Sequence, residues 1–445
     1  MRDRFPWILA LIYAALFTWL GSIRYNVHRN FVDFGIFAQT VASVFGCFCN
    51  AIEGSHWAFH FSPILYIVGA IVYVWHSPLA LIAVSAIGGA LAIPPVYALV
   101  LRRGDRTIAR YAALTVFLYP PLQGLTFNDF HENALAPAAV LWAFWAFDAG
   151  RLTFAVFAAL IAMCIKEDQA IFMAIAGGAA AWVYRGTARA TAGTLVAVCG
   201  VVLAAVFFCV IQPHAAANPN WQPVRFYAWS SGDLQTLVPR GIAERLGFII
   251  LVFLPLLFLP FRSSVIWLAA APFAEVLLSR MSTTYTTGSH YAGAWIGYVL
   301  AAFAYAVRNL PLVRVRSLVI ACCVLCVVEL AIANPLHPGM NLRAWQPRDV
   351  ALDRALSRLP SDIPVATQEE AYTHLALDDP NARLLPEDAR DPLDACFVLV
   401  DRAFPDSPRL QEYAAAFAQL VAAHRYALVE QQDSIELYRR KGSCR

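Results

Sequence analysis

Five short runs hold the side chains of this sequence that can do chemistry. Asp33 sits in Arg29-Asn30-Phe31-Val32-Asp33-Phe34-Gly35-Ile36-Phe37, a carboxylate set among aromatics. Such surroundings raise a carboxyl pKa and suit a general base, while an Asp just before Phe34 also suits a helix N-cap. His56-Trp57-Ala58-Phe59-His60 spaces two imidazoles four apart. On a helix they share one face, as a metal or phosphate contact requires, and as two histidines anchoring an interfacial helix would also do. Asn128-Asp129-Phe130-His131-Glu132 offers Asp129 and His131 as ligands for a divalent cation or a pyrophosphate–metal complex, or forms a solvated turn. Lys166-Glu167-Asp168 presents Lys166 to a phosphate between orienting acids, or closes on itself as a salt-bridge cluster. His290-Tyr291, after the Thr/Ser-rich run 282–289, makes either a site wall or an interface anchor.

The elements that position these runs are set by lipid. Of 445 residues, 60% are hydrophobic and 14% charged, against about 45–50% and 25% in soluble domains. Mean hydropathy is +0.57. No single core hides that excess, so the chain is an all-α polytopic membrane bundle solvated by the bilayer. A net charge of +3 carries no nucleic-acid signature. Arginine nearly replaces lysine, since only Lys166 and Lys441 occur, which singles out Lys166.

Apolar spans fall near 5–23, 79–101, 110–126, 133–149, 152–166, 169–184, 190–211, 246–261, 264–280, 290–307 and 317–333. Between them lie Arg102, Arg103, Arg106 and Arg110; Arg151; Arg185 and Arg189; Arg262; and Arg308, Arg314 and Arg316. Placing these arginines in the cytoplasm makes every second connection internal. The parity requires that 61–78, broken by Pro63, His76 and Pro78, does not cross. The expectation is eleven spans in a bacterial inner membrane. Arg2 and Arg4 hold the N-terminus of a retained signal-anchor inside, and the C-terminus lies outside. All five chemical runs then share the extracytoplasmic side, where ionisable groups at membrane depth face a cavity or one another. On that sidedness Asp33, His60, Asp129, His131 and Lys166 are expected to converge.

Residues 1–335 read as the membrane domain, with outer loops 24–78 and 212–245, and 336–445 as a small extracytoplasmic α/β domain. Its pattern gives a helix over 345–359, strands over 363–367 and 396–400, a helix over 408–424 and a hairpin of 426–430 with 435–438. Cys396 and Cys444 are placed to pair there, whereas Cys47 and Cys49 are too close in sequence to pair comfortably.

The runs Phe31–Phe37, His60-Phe61-Ser62-Pro63-Ile64-Leu65, Phe127–Glu132, Lys166-Glu167-Asp168 and His290-Tyr291 resemble, in that order, a bacterial membrane-protein family catalogued as a domain of unknown function. That family is similar in layout to the C-type glycosyltransferases (GT-C), among them the lipid A aminoarabinose transferase and the oligosaccharyltransferase catalytic subunit. The resemblance implies a catalytic acid in the first outer loop, at Asp33. It implies a second acidic motif after the third span, at Asp129-Phe130-His131, able to hold a divalent metal. It also implies a basic-Pro-Pro-Leu motif, here His60 to Leu65 with His as the basic residue and one proline. The implied activity is transfer of a sugar from a polyprenyl-phosphate carrier, the lipid-linked donor, to an extracytoplasmic acceptor. Asp33 is the catalytic residue; His56, His60, Lys166, Glu167, Asp168, His290 and Tyr291 bind substrate or phosphate; Asp129 and His131 hold the cation. The rival readings are a scaffold or sensor, a transporter, whose charges would sit near midplane, and a lipid-phosphate hydrolase. Nothing in the sequence specifies an oligomer.

Overall fold

The computed structural model describes residues 3–215, 226–227, 241–336, 342–361, 363–386, 390, 392–404 and 407–442. Most of the 212–245 loop and Cys444 lie outside the described residues. The chain divides into two compact units, one of residues 1–19, 57–65 and 82–339, the other of residues 20–56, 66–81 and 340–445.

Each apolar segment read from the sequence is helical, and all but parts of the first two helices fall in the first unit. The set comprises Phe5–Asn26, Pro78–Ala90 with Ile93–Leu101, Arg106–Leu118 with Pro120–Phe127, Ala136–Asp148, Leu152–Met163, Glu167–Val183, Ala188–Val206, Ile242–Phe253, Ala270–Leu278, Ile296–Asn309 and Leu312–Ile332. Boundaries follow ordinary capping chemistry. The Asp105 carboxylate accepts from Thr107 N–H and Ile108 N–H at the start of Arg106–Leu118, which satisfies donors left open at a helix start. The break at Tyr119 precedes Pro120 and Pro121, where a helix cannot continue unkinked. Phe5–Asn26, Pro78–Leu101, Ala188–Ala215 and Arg314–Ile332 are long and apolar enough to cross a bilayer unaided. Leu65–Val74, inside the 61–78 segment, has 10 residues and so measures about 15 Å, half the hydrocarbon thickness.

Glycines let two of these helices touch. A Cβ on Gly177 would lie 2.6 Å from Gly193 O, and one on Gly193 2.7 Å from Gly177 O. Glu167–Val183 and Ala188–Val206 thus approach backbone to backbone, the small-residue packing that replaces a hydrophobic driving force in lipid. This contact fixes the helix whose first residue is Glu167.

The second unit combines helix Val32–Ala42 with a five-stranded mixed sheet, ordered Ala382–Leu384, Val365–Thr367, Phe397–Asp401, Ile435–Arg440 and Tyr426–Gln432. The first three strands are parallel and the last two join antiparallel. Helices Pro347–Ser357 and Pro408–Ala422 and the four foreseen strands stand where the sequence places them, while helix Glu369–Leu375 and strand Ala382–Leu384 were not foreseen. Gln39 ties the early segment to the late one. Its amide donates to Asp379 O and Ala382 O at 2.9 and 3.0 Å and accepts from Tyr372 Oη–H and Ala51 N–H at 2.8 and 2.9 Å.

Two local expectations are corrected. Asp33 is not an N-cap: Val32–Ala42 starts behind Phe31, and Asp33 lies inside its first turn, where a carboxylate favours the helix dipole. Cys47 and Cys49 do pair, with Cα atoms 5.2 Å apart. Phe48 between them takes a left-handed φ of 48°, which turns both side chains to one side. Cys396 is disulfide-bonded as well.

Gly177 and its neighbour offer a paired test. Gly177→Ala forces the two backbones apart, at about 1–3 kcal/mol, whereas a Cβ on Gly178 meets nothing within 4 Å and improves helix propensity. In detergent melts Gly177→Ala is expected to lower Tm by several degrees and Gly178→Ala to leave it unchanged or raise it.

Candidate functional site

The first unit holds eight of the ten expected site residues, all but Asp33 and His56, together with Glu132, which was only part of a motif. Lys166 stands in extended backbone before Glu167–Val183. This puts Glu167 and Asp168 in the first turn, where carboxylates are favoured. Glu167 then reaches the segment after the 3-10 turn His56–Ala58. His60 Nδ1–H donates to Glu167 Oε1 at 3.1 Å and Phe61 N–H to Glu167 Oε2 at 2.9 Å. Ile64 N–H donates to Cys164 O at 2.9 Å alongside. Lys166 Nζ stays 3.8 Å from Asp168 Oδ2, beyond a hydrogen bond, and 5.6 Å from the ring centre of Tyr291. Lys166, Glu167 and Asp168 are all buried, so the triplet is not a self-contained surface cluster.

A second wall comes from 128–133 and 287–293. Asn128 Nδ2–H donates to Gly288 O at 2.7 Å, and a Cβ on Gly293 would lie 2.3 Å from Asn133 O. Backbones this close stack His131 on His290, centroids 4.1 Å apart and planes within 7°. His60 meets His131 edge-on at 6.3 Å. Glu132 is fully buried, with Oε2 3.0 Å from His131 Nδ1, and neither oxygen completes a hydrogen bond among the described residues. A buried carboxylate without donors is costly and needs a nearby cation; its charge acts on Lys166 and His60. Glu275, from Ala270–Leu278, lies near enough to Asp168 for the two carboxyls to repel one another's charge. Neither glutamate was assigned a role from sequence. Glu132 ends the Asn128–Glu132 run and was visible there, whereas Glu275 is a lone acid in an apolar span and gave no other signal.

Charge is distributed unevenly over the histidines. Burial pushes the His60 imidazole down, but the Glu167 carboxylate more than offsets this by charge and hydrogen bond, so His60 titrates above its ordinary 6.5. Burial lowers His131 well below 6.5, and Lys166 and His60 lower it further. Burial raises Glu167, yet His60, Lys166 and Phe61 N–H outweigh it and bring the carboxyl to about 2. The site therefore favours the proton on His60, beside Glu167, and disfavours it on His131.

His56 does not join His60. The turn ends at Ala58, so the two never share a helical face, and His56 packs in the second unit against Phe48 and Phe37 at 4.8 and 5.9 Å. Asp33 also belongs to the second unit. Asp129 is buried next to Asn128, its N–H donating to Asn128 Oδ1 at 2.7 Å. Asp129 and His131 belong to no group of three ligand-type side chains gathered at metal-binding distance among the described residues. As they stand they do not fit a metal centre.

The family described as predicted membrane protein (DUF2079) matches residues 25–437. This chain belongs to that family. No curated protein matches the DUF2079 chain in sequence. In fold it is similar to ArnT from Cupriavidus metallidurans bound to undecaprenyl phosphate, with a TM-score of 0.56 and 11% identity over 97% of this chain and 98% of that one. The apo form of the same ArnT gives 0.56 and 13% over 96% and 98%. The Archaeoglobus fulgidus oligosaccharyltransferase with Zn and sulfate gives 0.45 and 15% over 89% and 68%, too loose to carry an argument. The DUF2079 protein is thus a membrane protein with a GT-C-like fold.

The His60–Glu167 pair sets a pH signature. A raised His60 contributes stability that is full below 6.5 and lost as pH rises through its folded value. A lowered Glu167 contributes stability present above 4.5 and lost as pH falls toward 2. The Tm gap between the wild type and Glu167→Gln is expected to be widest between pH 4.5 and 6.5 and to narrow on either side. A gap that grows steadily into alkaline pH would contradict the pairing.

Proposed function

We propose that this DUF2079 protein is a GT-C-type transferase that moves a sugar from a polyprenyl-phosphate carrier to an extracytoplasmic acceptor with inversion. The observation that carries the reading is the buried Lys166, loosely engaged at 3.8 Å from Asp168, beside a His60 that Glu167 keeps charged. Two basic side chains near one another, Lys166 buried and His60 part-buried, suit a lipid phosphate. The likeness in fold to an ArnT bound to undecaprenyl phosphate supports the same class of donor.

In this reading Asp33 takes the proton of the acceptor hydroxyl. The acceptor oxygen bonds to the anomeric carbon as that carbon's bond to the phosphate oxygen breaks. The electron pair leaves with the lipid phosphate, whose charge Lys166 and His60 offset. Asp129, neutral His131 and the His290-Tyr291 wall flank the donor, Glu132 and Asp168 balance the cations, and no step runs through a metal. Eleven spans, an internal N-terminus and a membrane domain of 1–335 with an extracytoplasmic 336–445 complete the proposal for a bacterial inner membrane.

Asp33→Asn tests the base. It forfeits a charge–dipole contact of about 0.3–1 kcal/mol but removes a proton acceptor that contributes about 10²–10⁴ in rate. Transfer from a polyprenyl-phosphate sugar by reconstituted protein should fall by that factor while Tm moves little. Normal transfer by the stable variant would remove Asp33 from the mechanism.

A further inference from the structure

His28, Asp353 and His374, all in the second unit, form a polar centre that the transfer chemistry leaves unused. His28 Nε2 lies 3.1 Å from Asp353 Oδ1, and His374 Nδ1 lies 3.6 Å from the same oxygen. The three potential ligand atoms all fall within 4.8 Å of one another, and no other trio of His, Cys, Asp or Glu does so among the described residues. A tetrahedral ion with bonds of about 2.0–2.1 Å spaces its ligands about 3.3–3.4 Å apart, and the two measured edges bracket that spacing.

The far nitrogen of each ring is already directed. His374 Nε2 is 3.1 Å from Tyr25 O. A carbonyl only accepts, so Nε2 carries the hydrogen and Nδ1 turns its lone pair toward Asp353. His28 Nδ1 faces Asp349 Oδ1 at 3.6 Å, and Asp349 is itself fixed by Arg343 and by Gln346 N–H, each at 2.8 Å. Asp349 is thus an outer carboxylate beyond hydrogen-bond distance, while His28 Nε2–H donates to Asp353 Oδ1 at 3.1 Å and gives up that hydrogen when an ion binds. Outer partners of this kind orient metal-ligating histidines.

Backbone geometry adds an independent mark. His28 adopts φ of 55°, a region costly for any residue but glycine, and is held there by its N–H donating to Tyr25 O at 2.9 Å. The one carbonyl thus places both histidines. Their rings stack at 4.0 Å with planes 22° apart. An imidazole holds an ion in its ring plane, so a shared ion requires one of the two stacked rings to rotate. With its side chain 52% exposed, Asp353 supplies the entry and leaves the fourth position to water.

We propose that His28, Asp353 and His374 bind a divalent transition-metal ion of the zinc type, with Asp349 and the Tyr25 carbonyl as outer partners. The claim is independent of the transferase reading. The test uses the full chain in detergent, its affinity tag removed, stripped with chelator and dialysed against ZnCl2, with bound zinc measured by atomic emission. One zinc per chain is expected, with a raised Tm. Asp353→Asn should weaken binding at least about tenfold without altering the metal-free Tm, since this side chain is exposed, and Asp353→Asn with His374→Gln should abolish it. Failure of the wild type to hold zinc, which would leave only a shared proton at this centre, overturns the proposal. So does undiminished binding by stable Asp353→Asn.

Discussion

Glu167 fixes the position and the charge of the groups around it. Its two carboxylate oxygens take the Phe61 N–H and the His60 ring N–H, so one side chain clamps a loop segment to a helix start about a hundred residues later. The helix begins there because Lys166 is extended and two acids follow it. Its axis is held by the glycine contact with Ala188–Val206. From this clamp follows the upward shift of His60, whereas burial and the nearby Lys166 and His60 disfavour a proton on His131.

Much of this architecture was legible in the sequence, and the failures have specific physical causes. Apolar runs report lipid or core burial directly, so the helical segments and the main strands of the late domain were readable. The short Ala382–Leu384 strand and the Glu369–Leu375 helix carry no periodicity to read. The four-residue spacing of His56 and His60 misled because the turn there ends at Ala58, which sends His56 among Phe37 and Phe48 and leaves His60 to Glu167. Asp33 missed its cap because the helix starts two residues earlier, behind Phe31.

Partners distant in sequence were the least legible. Lys166-Glu167-Asp168 was recognisable as a charged triplet, but only folding shows Glu167 turned to His60 and Asp168 brought near Glu275. His28 and His374, separated by most of the chain, share a carboxylate that neither run announces. Gln39 likewise reads as an ordinary polar residue, yet three of its four hydrogen bonds join an early helix to residues 372–382.

The central claim is that the Lys166–His60 pair receives a lipid phosphate. Saturable binding of undecaprenyl phosphate to the reconstituted chain, compared between the wild type and Lys166→Gln at neutral pH, tests it most directly. A charge-assisted contact of about 1.5–3 kcal/mol corresponds to roughly 10–100-fold in affinity. The account predicts a loss of that size with the fold intact, and equal affinity in the two proteins would contradict it.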